Sequence, residues 1–171
     1  ANSAACLRDS RTWGDLIRPG LLLYGVVPPP LASTLALTPA MTLSSRIVAV
    51  KGVRAGESVG YGGGFVAERP LRIAVVPAGY ADGLDRRLEG RGAALVRGQR
   101  AAIVGAVSMD LLTIDVSDID GAAPGDDVVF LGTQGPVSSQ TIDAREMAAW
   151  IGTIPYEVLT RLGSRVARRY V

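Results

Sequence analysis

Histidine is absent from the 171 residues. That removes imidazole acid–base chemistry, Ser-His-Asp triads and histidine metal sites. Cysteine occurs once, as Cys6, so no internal disulfide is possible and a zinc site of the usual kind is excluded. A lone cysteine fits a reducing compartment, and the cytoplasm is the expected location. Lysine also occurs once, as Lys51, while arginine occurs seventeen times. The formal net charge is nonetheless only +2, with a pI near 9.0. Aromatic residues make up 5% of the chain, five of them tyrosine. Two Phe and two Trp are few for a surface that stacks nucleobases. No apolar run reaches the roughly 18 residues of a membrane span. The opening ANSAACLRDSRTW has neither the basic start nor the apolar stretch of a secretory signal, and reads as the interior of a longer chain.

What is present is mostly β in pattern. Met41 to Val53 carries Ile47, Val48, Val50 and Val53 without a helical period. Leu71–Pro77, Gln99–Val107, Leu111–Val116 and Asp127–Leu131 are further apolar runs, separated by Gly, Pro and Asp clusters. Strands at this spacing predict a closed or sandwich-like β domain. A helix is expected over Thr141–Gly152, capped by Thr141 or Asp143, with Met147, Ala148 and Ile151 on its buried stripe. A second short helix starts near Pro155. Val166–Val171 reads as a last strand or a tail.

Residues 1–33 differ from the rest. Leu16–Gly20 reads as a strand end and turn, and Leu21–Gly25 as an apolar run. The triple proline Pro28–Pro30 and the polar residues after it read as a linker. From about Pro39 the pattern is β.

Three loops carry chemistry. VGYGGGF sets Tyr61 among four glycines, and GYADGLDRR places Tyr80 after a buried strand. Glycine allows a backbone to approach its surroundings closely, so each tyrosine is either packed down as an anchor or held out to work. A phenol with a pKa near 10 becomes a useful base only where a cation or a preorganised site lowers that value. Arg86 and Arg87 can pair with a carboxylate. In the third loop, Ser108-Met109-Asp110 interrupts two apolar strands. Near the start, Ser3 offers a small hydroxyl, and the N–H groups after Gly20 can cradle a phosphate.

Seven motifs occur in order: NSAA, RPGLLLYG, VGYG, GYADGxxR, SMD, TIPYE and RVARRY. The series resembles the C-terminal part of bacterial alanine racemases, from Asn2 to Tyr170. The resemblance implies that residues 39–171 are a β-barrel or sandwich-like domain and that residues 1–38 are the last strands and helix of a (β/α)8 barrel with its linker. It implies a pyridoxal 5'-phosphate enzyme that interconverts L- and D-alanine and works as a head-to-tail homodimer with shared active sites. By it, Tyr61 matches the catalytic tyrosine that moves the α-proton on one face. Tyr80 matches a tyrosine of the substrate entrance, and Arg86 an arginine of the outer corridor. Met109 matches the residue whose N–H meets the substrate carboxylate. Ser3, Gly20, Leu21 and Tyr156 match contacts to the cofactor phosphate, and Arg18 matches the arginine facing the pyridine nitrogen. An arginine does not give up its proton, so that nitrogen stays unprotonated. The weaker electron sink suits racemisation over transamination.

Two departures stand out. The family often has arginine where this sequence has Ala106, which alters the corridor's charge pattern. The family's other base is a lysine that holds the cofactor as a Schiff base, and no match to it occurs here. Lys51 sits in a strand pattern far from any phosphate loop, so this chain alone is expected not to turn alanine over. Substrate breadth, alanine against serine, is left open by the residues. So are two other readings, a non-catalytic subunit that completes a partner's site and a basic β-barrel binding module.

Overall fold

The computed structural model describes residues 1–28, 30–31, 35–135 and 140–170. The polar residues 32–34 of the expected linker, one proline of its PPP run and the terminal Val171 lie outside the described residues. The chain begins with helices α1 (Ser3–Arg8) and α2 (Gly20–Leu23). Strands β1 (Leu43–Arg46), β2 (Ala49–Val53), β3 (Ser58–Val59), β4 (Phe65–Val66) and β5 (Leu71–Val76) follow. Then come β6 (Ala93–Val96), β7 (Gln99–Val104), β8 (Leu112–Asp115), β9 (Asp127–Gln134) and β10 (Gln140–Ile142). Helices α3 (Ala144–Ile151) and α4 (Pro155–Thr160) close the regular structure.

The β-patterned stretch Met41–Val53 forms two strands, because it changes partner midway. β1 pairs with β9, and β2 pairs with β5. Between them the Ile47 N–H donates to the Asp126 carbonyl at 2.9 Å, and the Val48 N–H to the Val75 carbonyl at 3.0 Å. The sheet runs β1-β9-β6-β7-β8-β5-β2, antiparallel throughout, with β10 also on β9. Its two end strands are consecutive pieces of one chain. The sheet therefore curls back toward its own start, with its two end strands joined through Ile47 and Val48. The fold is mainly β, as the sequence predicts.

Val76, Ile114, Val128 and Phe130 are essentially unexposed and fill the principal core. β9 reads as an unbroken apolar run because both its faces are covered. Val129 packs with Leu95 and Ile142 in a second cluster, against Trp150 of α3.

The helix ends follow their local chemistry. The Asp143 side chain accepts the Glu146 N–H at 2.8 Å and caps α3, while Gly152 ends it at φ 67°. Of the two caps expected, Thr141 is displaced because β10 takes it as a strand residue paired with Thr133. Met147, Ala148 and Ile151 are buried as the stripe predicts, and Pro155 opens α4. Strand β6 was not foreseen. It turns into β7 through Arg97 (φ 51°) and Gly98 (φ 76°), a two-residue hairpin turn. At the other end, Val166–Tyr170 forms no strand and is a tail. The expected strand end near Arg18 is a single parallel bridge between Asn2 and Arg18, with α1 between them in sequence. The Arg18 N–H donates to the Ala1 carbonyl there at 2.7 Å. Leu21 and Val26 join the principal core, so this N-terminal segment is packed against the sheet.

Candidate active site

Strand register brings two of the loops together. Val76 at the end of β5 lies opposite Leu112 at the start of β8, and Val104 at the end of β7 lies opposite Thr113. The segments 77–89 and 105–111 thus leave the sheet at the same end. Gly79 lets them touch. A Cβ there would stand 2.3 Å from the carbonyl oxygens of both Ser108 and Met109. Across this contact the Tyr80 N–H donates to Ser108 at 3.0 Å, and the Ala81 N–H to Met109 at 3.1 Å.

The β3–β4 hairpin joins through a second pair of glycines. A Cβ on Gly60 would stand 2.6 Å from the Ala106 nitrogen, and one on Gly105 2.6 Å from the Val59 carbonyl oxygen. Gly60 has φ 81° as well, so a side chain is excluded twice over. Tyr61 follows it in a tight turn over Tyr61–Gly63.

The result is a cleft of about 430 Å³ lined by Tyr61, Tyr80, Arg86, Ala106 and Met109, among others. Four of the residues singled out in the sequence meet here. Tyr61 is 80% exposed, and neither its phenol nor that of Tyr80 has a hydrogen-bond partner among the described residues. Arg86 is equally unpaired, whereas its neighbour Arg87 is held by Asp85 at 2.8 Å. The Met109 N–H donates to nothing among the described residues, although its carbonyl is used. An unpaired phenol, an unpaired guanidinium and a free backbone N–H around one cavity can receive a carboxylate and exchange a proton with its neighbouring carbon.

Ser3, Arg18, Gly20, Leu21 and Tyr156 do not line this cleft. The first four cluster at the Asn2–Arg18 bridge, and Tyr156 stands half-exposed on α4. The Arg18 guanidinium and the N–H groups of Gly20 and Leu21 have no partner among the described residues, and neither does the Tyr156 phenol. Free N–H groups and a guanidinium near one another are donors suited to an anionic group such as a phosphate. Lys51 is exposed on β2 and away from the cleft lining. Among the described residues, no group of three or more His, Cys, Asp or Glu could hold a metal, and no helix is long and apolar enough to cross a membrane.

Residues beyond α4 also reach the cleft loops, which the sequence did not signal beyond the arginines of RVARRY. Arg165 bonds Asp110 and lies 3.4 Å from Asp82, while Arg161 bonds Asp85. The hydrogen bond and charge of Asp110, with a smaller contribution from Asp82, raise Arg165 further above the ordinary guanidinium range. It stays charged at any working pH.

Fold and cleft together define an antiparallel β domain that displays an unpaired phenol beside an unpaired backbone N–H. Residues 40–170 match the family model for the alanine racemase C-terminal domain. The alanine racemase of Sorangium cellulosum is 51% identical over 173 residues, covering 99% of this chain and 45% of that protein. Among solved structures, alanine racemase from Streptomyces coelicolor A3(2) superposes with a TM-score of 0.88 at 38% identity, over 100% of this chain and 44% of that one. The alanine racemase from Bartonella henselae, solved with covalently bound pyridoxal phosphate, gives 0.88 at 33% identity, over 100% and 46%. This chain belongs to the alanine racemase family. It spans less than half the length of these relatives.

Proposed function

We propose that this chain supplies the tyrosine base and part of the cofactor site of a pyridoxal-phosphate-dependent racemase that interconverts L- and D-alanine. The observation that carries the reading is the cleft in which the Tyr61 phenol, the Arg86 guanidinium and the Met109 N–H meet unpaired. In this reading residues 1–38 are the end of a (β/α)8 barrel and its linker, and residues 39–171 are the β domain. The parallel bridge flanking α1 supports that division, since parallel pairing across a helix is how such barrels are built. The enzyme is a cytoplasmic homodimer, with Tyr61 of one subunit serving the site of the other.

Each residue then has a task that its surroundings favour. The Met109 N–H holds the substrate carboxylate. Tyr80 narrows the approach, and Arg86 adds positive charge at the rim. Tyr61 takes or returns the α-proton on one face. The N–H groups of Gly20 and Leu21, with Ser3 and Tyr156, hold the cofactor phosphate. Arg18 would face the ring nitrogen and keep it unprotonated, because guanidinium does not donate its proton away. When bound, pyridoxal phosphate supplies the electron withdrawal that makes the α-proton removable. A lysine outside these 171 residues serves the opposite face.

The test is Tyr61→Phe in the complete racemase. Loss of positioned acid–base catalysis is expected to lower turnover by about 10²–10⁴. Turnover within a factor of about two of the parent sinks the proposal.

A further inference from the structure

Two carboxylates, Asp82 and Asp110, belong to the cleft loops themselves, and Asp110 also lines the cleft. Asp82 closes the turn that carries Tyr80, its Oδ2 accepting the Gly79 N–H at 3.0 Å. Asp110 follows Met109 in the chain. Both face one guanidinium: Arg165 Nε is 3.4 Å from Asp82 Oδ1, and Arg165 Nη2 bonds Asp110 Oδ1. A single cation therefore bridges the loop bearing Tyr80 and the loop bearing Met109. It comes from the segment after α4, which also sends Arg161 to Asp85. The Asp85 side chain caps the turn over Arg86–Leu88. Every polar group expected to meet substrate in this cleft, apart from Tyr61, thus rests on a loop tied to that C-terminal segment.

Resting on the racemase reading above, we infer that Arg165 is a positioning residue for the substrate carboxylate. It holds Tyr80 and the Met109 N–H at a fixed spacing, and it cancels the charge of Asp110 one residue from that N–H. Without the guanidinium, Asp82 and Asp110 are left uncompensated, both beside the donor that must receive a third carboxylate. Like charges at such range oppose one another and repel an incoming anion. Solvent tempers the effect, because the Arg165 and Asp110 side chains are 49% and 54% exposed.

The experiment pairs kinetics with hydrogen exchange. In the complete racemase, Arg165→Gln is expected to raise KM for alanine about three- to tenfold, with kcat nearly unchanged, because the proton-moving groups are untouched. Adding Asp110→Asn to that variant is expected to restore KM by removing the uncompensated charge. A KM that does not move, a loss confined to kcat, or a raised KM that Asp110→Asn fails to relieve overturns the inference. In the complete racemase, Arg165→Gln is also expected to speed amide exchange at Tyr80 and Ala81 while β5 and β8 keep their protection. Unchanged exchange at those two amides overturns the tie between the loops, whatever the kinetics. If the unsubstituted racemase proves inactive, the functional reading falls, and the exchange result still decides whether Arg165 joins the loops.

Discussion

Replacing Gly79 with alanine attacks the contact on which the cleft depends. Gly79 is extended, so its backbone accepts any residue. The obstacle is space alone. The new methyl would stand 2.3 Å from two carbonyl oxygens and 2.4 Å from the Met109 carbonyl carbon. Ordinary contact requires those atoms to retreat by about 1 Å. They are backbone atoms, so the whole 108–109 segment must move, and two hydrogen bonds at 3.0 and 3.1 Å stretch with it. Each bond contributes about 1 kcal/mol net, and overpacking costs about 1–3 kcal/mol. A destabilisation of about 3–5 kcal/mol follows, or a fall in Tm on the order of 10 °C for a chain of this length. Urea titration measures the first and calorimetry the second. Gly52→Ala is the control, because a Cβ on Gly52 of β2 meets nothing within 4 Å. It is expected to change stability by less than about 0.5 kcal/mol. A Gly79→Ala protein as stable as its parent, with unchanged exchange at Tyr80 and Ala81, would refute the close-contact reasoning.

Other expectations concern the core and the surface charges. Ile114 is fully buried in the principal core, and Ile114→Ala is expected to cost about 2–5 kcal/mol in denaturant titration. The hydrogen bond from Arg97, then the Ala123 N–H, hold the Asp126 carboxyl below its ordinary value of 3.8. That stabilisation is complete above the unfolded-state pKa of about 3.9 and disappears as pH falls through the lower folded-state value. Asp126→Asn is therefore expected to lower stability at neutral pH and to weaken its fall below pH about 4.

The strands were legible where burial alone decided them. Leu71–Pro77 and Asp127–Leu131 are apolar runs that no surface strand would carry, and both are central strands. The break at Ile47 and Val48 was not legible, because it records a change of hydrogen-bond partner while the side-chain pattern continues unchanged. β6 escaped because Ala93-Ala94-Leu95-Val96 is short and has only one β-branched residue, though Arg97-Gly98 between apolar runs was an available hairpin signal. Thr141 and Asp143 were equal cap candidates until β10 claimed the first.

In the site, Tyr61, Tyr80 and Met109 could be nominated from motifs in separate loops. Their meeting could not, since it depends on Gly60 against Gly105 and Gly79 against Met109, contacts across the fold. The same holds for Arg165. Two aspartates eighty-three and fifty-five residues upstream of it carry no local sign of a shared cation.

The central claim is that Tyr61 moves the α-proton of one enantiomer. Its most direct test follows solvent deuterium into each enantiomer separately, using the complete racemase with Tyr61→Phe and comparing initial rates. A base confined to one face predicts that exchange at Cα falls steeply for one enantiomer and persists for the other, because the opposite base is intact. Equal exchange for both enantiomers at the parent rate would contradict the assignment.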